Sequence, residues 1–301
     1  MQLSYDFSVN SSLVEPLATP STQHTKINVL RLDKIHPLIS GNKWFKLKYN
    51  LLEAKKQSKK TLLTFGGAYS NHIVATAAVG KMFDFATIGI IRGEELAFQA
   101  LNPYLQKAQQ LGMQLHFVNR QEYRYKNEEK FIESLPQRFG DFYLLPEGGS
   151  NRFAVQGTAE ILAFLQNENL HYEYVCTCVG TGGTLAGIAT SLFGTKTKLL
   201  GFSVLKNGNF LYQEVFNLLQ KAEIKHFQPF EIIVDYHFGG YGKHKPELLE
   251  FIKHFSSETN LPLEPVYTGK LFFGVMDLLQ RGFFAENSKV LVIHCGGVLA
   301  L

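Results

Sequence analysis

Short apolar runs alternate along this chain with longer stretches whose apolar positions recur every three or four residues. The runs read as buried strands and the stretches as amphipathic helices. The pattern predicts strands at 27–32, 61–65, 86–91, 114–118, 142–145, 174–179, 198–204, 231–234 and 289–293. It predicts helices from Lys43 to the basic run at Lys55–Lys60, from Ser70-Asn71, and over 101–112, 155–165, 209–222 and 246–256. Two more follow Gly183 and run up to Gln280, and the charged segment 121–138 is also helical in pattern. Strand and helix in strict alternation imply an α/β fold of open twisted parallel sheets with helices on both faces. Two domains are expected: 1–48 with 150–301 as the larger, cofactor-binding one, and 49–149 as a smaller α/β one.

Glycine clusters fall where strands end and helices begin: Gly66-Gly67, Gly148-Gly149, Gly180-Thr181-Gly182-Gly183-Thr184 and Gly239-Gly240. In open α/β sheets that edge is the crevice where ligands bind. Lys43 stands at such a junction. Pro37, Ser40 and Gly41 turn the chain before it, and Trp44, Leu47, Leu51 and Ala54 give an apolar helix face after it. A lysine held there is suited to forming a Schiff base with an aldehyde, because partial burial favours the neutral amine. Taken by itself, Lys43 also reads as one more solvated lysine at a helix start.

Hydrophobic residues make up 45% of 301 and charged ones 19%, enough apolar surface for a sizeable core. A net charge of +4 does not point to nucleic acid, and no recognition motif for one is present. The start, 1–6, lacks a basic region followed by an apolar run, and no apolar stretch is long enough to span a membrane. Cys176, Cys178 and Cys295 are few and odd in number, which suits a reducing cytoplasm. Cys176 and Cys178 read as core. The ten histidines show no paired spacing, so no metal site is assigned; His72 and His294 read as structural.

The 180–184 turn follows a strand and opens a helix, where small residues let backbone N–H groups approach an anion. A dinucleotide would need a third glycine where Leu185 stands, and an acid on the next strand, which has none. A P-loop would need a lysine that is absent. A small cofactor monophosphate fits better.

Gly41-Asn42-Lys43, Gly66-Gly67-Ala68-Tyr69-Ser70-Asn71-His72, the 180–184 turn, Gly240-Tyr241-Gly242 and Pro265-Val266-Tyr267-Thr268-Gly269-Lys270 occur in one order. Together they resemble the pyridoxal-phosphate enzymes grouped as 1-aminocyclopropane-1-carboxylate deaminase and D-cysteine desulfhydrase, of tryptophan-synthase-β-like fold (fold type II). The resemblance runs from about Pro37 onward. It implies that Lys43 holds pyridoxal 5′-phosphate through an imine, with Lys46 near the phosphate and Gly180, Thr181, Gly182, Gly183 and Thr184 around it. It further implies Asn71 at the cofactor's 3′-oxygen, Thr268 at the pyridine nitrogen, and Ser70, Tyr241 and Tyr267 as catalytic residues. A small amino acid is the implied substrate and a homodimer the expected assembly.

Position 268 bears on the reaction. The deaminases resemble one another in a glutamate there, and the desulfhydrases in a hydroxyl residue. A carboxylate keeps the pyridine nitrogen protonated and the ring a strong electron sink, as opening a cyclopropane demands. A hydroxyl gives a weaker sink, adequate when thiolate leaves from Cβ. The expected reaction is β-elimination from D-cysteine to pyruvate, ammonia and hydrogen sulfide. The substrate carboxylate is expected at the N–H groups of residues 70–72, and Lys43 or Ser70 takes the Cα proton. Phe45, where many relatives carry arginine, Cys295 in the late glycine loop, and a chain stopping at Leu301 depart from the family pattern.

Rival readings are a cyclopropane-carboxylate deaminase, another deaminase or racemase, and a non-catalytic cofactor-binding protein. A nucleotide-dependent oxidoreductase is disfavoured by the missing acid. Ser70 alone would be an N-cap, and without a G-x-S-x-G elbow it is no hydrolase serine. Tyr241 and Tyr267 alone would be packing residues.

Overall fold

The computed structural model describes residues 9–17, 25–39 and 41–297. The segment 1–6, Ser40 and Leu301, on which some expectations fall, lie outside the described residues.

Strands β1 (Val14–Pro16), β2 (Lys26–Arg31), β7 (Tyr174–Val179), β8 (Lys198–Ser203), β9 (Phe230–Ile233) and β10 (Lys289–His294) form one sheet, in the order β1-β2-β10-β7-β8-β9. Strands β3 (Thr61–Gly66), β4 (Ala86–Arg92), β5 (Met113–Val118) and β6 (Tyr143–Leu145) form a second, in the order β5-β4-β3-β6. Every pairing is parallel except that of β1 with β2. The expected strands are all present. β1 is additional to them: it is three residues long and ends in Pro16, which only an edge strand tolerates.

The helices are α1 (Asn42–Lys56), α2 (Asn71–Phe83), α3 (Pro103–Gln110), α4 (Glu129–Phe139), α5 (Arg152–Ala159), α6 (Ala163–Asn167), α7 (Gly183–Ser191), α8 (Leu211–Lys221), α9 (Pro246–Thr259) and α10 (Thr268–Gln280). The helix expected over 155–165 instead starts at Arg152, because the Asn151 side chain caps it by accepting from the Ala154 N–H at 3.0 Å. It is then broken by a 3₁₀ turn at Glu160–Leu162 before α6. The charged segment 121–138 splits into a 3₁₀ turn, Glu122–Asn127, and α4. Among the described residues no helix is long and apolar enough to cross a membrane.

Successive strand residues point to opposite faces. On β8, Gly201 meets Leu185 of α7, while Phe202 meets Gly274 of α10, so both faces of the larger sheet are covered. The smaller sheet buries Leu63, Phe65, Ile88 and Ile90 with Leu135 of α4 on one side. On the other it buries Ile91 and Met113 with Ile73 of α2 and Leu105 of α3. Helix α1 is continuous across residues 48 and 49 and packs on α5.

Candidate active site

The carboxyl ends of strands from both sheets open onto one cavity of about 240 Å³. Helix α1 enters it because of Gly41, whose φ of +69° is a conformation that side-chain-bearing residues rarely adopt. A Cβ there would fall 1.7 Å from the Cys295 carbonyl oxygen. That contact, and the Asn42 N–H donated to the same oxygen at 3.2 Å, fix the first turn of α1 against the loop after β10.

Lys43 and Lys46 are one helical turn apart and share a face. Lys43 Nζ lines the cavity and donates to Asn42 Oδ1 at 2.7 Å. Burial lowers its pKa, favouring the neutral amine, against the opposing pull of Cys295, Cys178 and Glu264. Lys46 is 3% exposed, and its Nζ donates to Ser150 Oγ at 2.8 Å, the Gly148 carbonyl at 3.0 Å and Thr181 Oγ1 at 3.3 Å. Burial, and then the neighbouring Lys43, push its pKa well down. Phe45, between them, points into the core.

The 180–184 turn lies opposite. Gly182 caps α7, whose first residue, Gly183, leaves no space for a side chain: a Cβ would meet Ser150 Oγ at 2.7 Å. Thr181 Oγ1 is 2.6 Å from Ser150 Oγ, and Thr184 Oγ1 accepts from Asn42 Nδ2 at 2.8 Å. Free N–H groups at the start of α7, three hydroxyls and the Lys46 amine thus converge, as an anion requires.

Ser70 is the N-cap of α2, accepting from the Ile73 N–H, and it lines the cavity with Asn71 and His72. The Thr64 hydroxyl donates its one proton to the Leu145 carbonyl at 3.0 Å, so His72 Nε2, 2.9 Å away, is the donor in that pair. His72 Nδ1 is then a bare acceptor, and it is buried without a partner, as is Asn71 Oδ1. Burial, then Lys43 and Lys46, keep His72 neutral.

Tyr241 and Tyr267 form the far wall, with their rings edge to face at 6.1 Å. Burial raises both phenols, Tyr241 to about 12, so both stay protonated donors. Thr268 does not line the cavity. Its hydroxyl accepts from the Glu264 N–H at 3.0 Å and donates to Glu264 Oε1 at 3.3 Å. Glu264 also takes the N–H groups of Val266, Tyr267 and Thr268 at 2.6–2.8 Å. Burial nevertheless raises its pKa.

The structure therefore brings Lys43, Lys46, Ser70, Asn71, Gly180, Thr181, Gly182, Thr184, Tyr241 and Tyr267 to one cavity. Gly183 and Thr268 stand just behind its wall. Sequence reasoning missed Asn42, Ser150, Cys178 and Glu264. Ser150 carried a signal, a Gly-Gly-Ser turn at a strand end, and Asn42 stood in the Gly-Asn-Lys motif without a role assigned to it; Glu264 carried none. Cys178 reads as core because it is buried, yet it is near the end of β7 and faces the opening. His294 is fully buried, bonded to the Pro262 carbonyl and facing Asp33.

An amine kept neutral, an anion cradle one helical turn away and two unpartnered buried acceptors fit an aldehyde carrying a phosphate and a ring hydroxyl. Among curated proteins, the chain is 30% identical over 298 residues to the bifunctional D-cysteine desulfhydrase/1-aminocyclopropane-1-carboxylate deaminase, mitochondrial, of Arabidopsis thaliana. That match covers 92% of this chain and 73% of the relative. The crystal structure of an ACC deaminase homologue superposes with a TM-score of 0.84 at 26% identity, covering 97% of this chain and 90% of that one. A hydrogen sulfide-producing enzyme from Fusobacterium nucleatum aligns with a TM-score of 0.68 over 99% of this chain and 100% of that one; at 13% identity this is a likeness of fold alone. These are fold-type II architectures, as is this chain. The family model described as "Pyridoxal-phosphate dependent enzyme" matches residues 16–296, so the chain belongs to the family of pyridoxal-phosphate dependent enzymes and pyridoxal phosphate is its cofactor.

Proposed function

We propose that the chain is a lyase that eliminates the β-substituent of a small amino acid, with D-cysteine as substrate and pyruvate, ammonia and hydrogen sulfide as products. Lys43 would hold the cofactor's aldehyde carbon. Lys46, Thr181, Thr184 and the N–H groups of the 180–184 turn would hold its phosphate, and Asn71 its ring oxygen. When bound, the cofactor supplies a sink for the electron pair left at Cα. The protein's part is positioning and proton transfer. The N–H groups at the start of α2 receive the substrate carboxylate, aided by the helix dipole. Lys43, kept neutral by burial, takes the Cα proton, with Ser70 beside it. Tyr241 and Tyr267, kept protonated, present O–H groups to the departing sulfur.

The choice of β-elimination over cyclopropane opening rests on position 268, a hydroxyl residue. The carboxylate on the cavity wall, Glu147, supports it: Glu147 is engaged by the Tyr123 hydroxyl at 2.7 Å and by Lys126 at 3.4 Å. Thr268 would reach the ring nitrogen only by turning its hydroxyl out of the Glu264 turn. The test is release of pyruvate and sulfide from D-cysteine, set against release of a keto acid from 1-aminocyclopropane-1-carboxylate. Turnover of the second with the first inert would overturn the assignment.

The two sheets are proposed as two domains, the smaller built from the strands between 61 and 145. A homodimer is the proposed assembly, supported by exposed Phe98, Phe193, Phe210 and Phe216, and sedimentation would test it. Three free cysteines favour a reducing cytoplasm.

A further inference from the structure

The reaction cavity does not close at Tyr241. A second cavity, of about 380 Å³, begins where the first ends, and Arg92 and Tyr241 line both. Arg92 is the last residue of β4, so it stands at the carboxyl edge of the smaller sheet. Gly67 lies beside both side chains: a Cβ there would be 3.6 Å from Arg92 Nη2 and 3.7 Å from Tyr241 Cε1. With no side chain, Gly67 leaves the passage between them open. The second cavity is walled by the loop before α2, the 3₁₀ turn Glu94–Phe98 and the cap of α3, with Tyr69, Leu96 and Asn102 among its residues.

Two guanidinium groups line this second cavity. Arg120 is paired with Glu95 at 2.8 Å. The Arg92 side chain makes no ion pair or hydrogen bond among the described residues; its guanidinium carbon stands 5.8 Å from the centre of the Tyr123 ring. Glu147, the carboxylate of the reaction cavity, is engaged by Tyr123 and Lys126, and Glu94 lines neither cavity. The junction of the two cavities therefore carries a positive charge with its donors unused. A guanidinium matches a planar carboxylate through two parallel N–H···O bonds.

We propose that Arg92 selects substrates whose β-substituent ends in a carboxylate, and that the second cavity houses that substituent. The substrate class is an S-carboxyalkyl cysteine. The inference rests on the β-elimination proposed above, in which Tyr241 faces the departing sulfur. Because Tyr241 also lines the second cavity, a group carried on that sulfur extends past it to Arg92. With S-carboxymethyl-D-cysteine, Lys43 takes the Cα proton, the Cβ–S bond breaks and its electron pair stays on sulfur. The sulfur takes up a proton and departs as mercaptoacetate, its carboxylate still on Arg92. The three-carbon remainder takes up water and releases ammonia as pyruvate forms. No electrons are gained or lost overall.

The test compares S-carboxymethyl-D-cysteine with S-methyl-D-cysteine, the same thioether without the charge, on the cofactor-loaded enzyme. The kcat/KM for pyruvate release should favour the charged substrate about tenfold. That lies between the few-fold of an exposed ion pair and the roughly hundredfold of a buried charge-assisted hydrogen bond. Arg92→Gln should erase the preference through KM, with kcat and the S-methyl-D-cysteine rate unchanged. Gly67→Ala fits at ordinary contact distances, yet its methyl sits in the passage. It should slow both thioethers and spare D-cysteine. Binding is read without turnover, by saturation-transfer NMR with methylthioacetate as probe. The native protein should bind it at least about fivefold more tightly than Arg92→Gln does, and bind its uncharged amide no better. With D-cysteine turned over, equal or absent turnover of the two thioethers, or a preference that survives Arg92→Gln, overturns the proposal and leaves the lyase standing. Methylthioacetate binding that Arg92→Gln leaves unaltered overturns it too. With D-cysteine inert, binding that depends on Arg92 removes the lyase reading and keeps the anion subsite.

Discussion

Helices α1 and α10 both bury a lysine in their first turn or just after it, where the helix dipole and desolvation each disfavour an ammonium. Their partners differ. Lys46 of α1 donates to one carbonyl and two hydroxyls, and hydroxyls retain capacity for an incoming anion. Lys270 of α10 donates to two carbonyls, Gly240 at 2.7 Å and Val204 at 3.4 Å, and does not line the active-site cavity. In the function we propose, the first lysine is the ligand of the cofactor's phosphate. The second is a tether that holds the Tyr241 loop against α10. Burial alone does not separate the two roles; the chemistry of the acceptors does.

That contrast can be broken most severely at Lys43. Lys43→Ala should remove the protein's absorbance near the visible edge and cut pyruvate release about a thousandfold, the scale a general base supplies. An unchanged spectrum would end the assignment of α1 as the cofactor-bearing helix. Lys46→Met should weaken cofactor binding about ten- to a hundredfold, the loss of one charge-assisted hydrogen bond, in a titration of the stripped protein. Lys270→Met should leave that titration unaltered and instead lower the urea midpoint, since two buried carbonyls lose their donor at about 1–3 kcal/mol. Weakened cofactor binding with unaltered stability would make Lys270 the ligand and not the tether.

The smallest effect is one of pH. Burial holds Lys270 at about 8, against an ordinary 10.5, with Glu264 opposing. Below about 8 both folded and unfolded chains carry the charge, and the burial penalty is fully present. Between about 8 and 10.5 the unfolded chain binds more protons, so stability rises with pH. Measured against Lys270→Met, the native chain should gain stability across that window. A loss there would mean the ammonium is stabilised, not strained, by its carbonyls.

Much of the molecule is legible in the sequence because it is local. Apolar runs mark the parallel strands, and Ser70 signals both the start of α2 and the cavity edge. Gly180–Thr184 displays its cradle through composition alone. What stays hidden depends on distant pairing. Gly41 meets Cys295 only because β10 lies beside β2, and no local pattern encodes that register. Likewise Thr268 carries a hydroxyl in the sequence, but that the Glu264 turn occupies it appears only in three dimensions. The start of α5 is ambiguous because Asn151 looks like turn residue and cap alike.

Strand β10 sits between β2 and β7, and it is the last described element in the chain. Synthesis proceeds from the other end, so β2 and β7 leave the ribosome long before the strand that joins them. Until it arrives, Gly41 has no carbonyl to rest on and the amine of residue 43 has no fixed bearing. A nascent chain can thus complete its smaller sheet early, while the floor of the cavity waits for a late central insertion. Reactive aldehydes in the cell would meet that amine in its working geometry only once translation has passed residue 295.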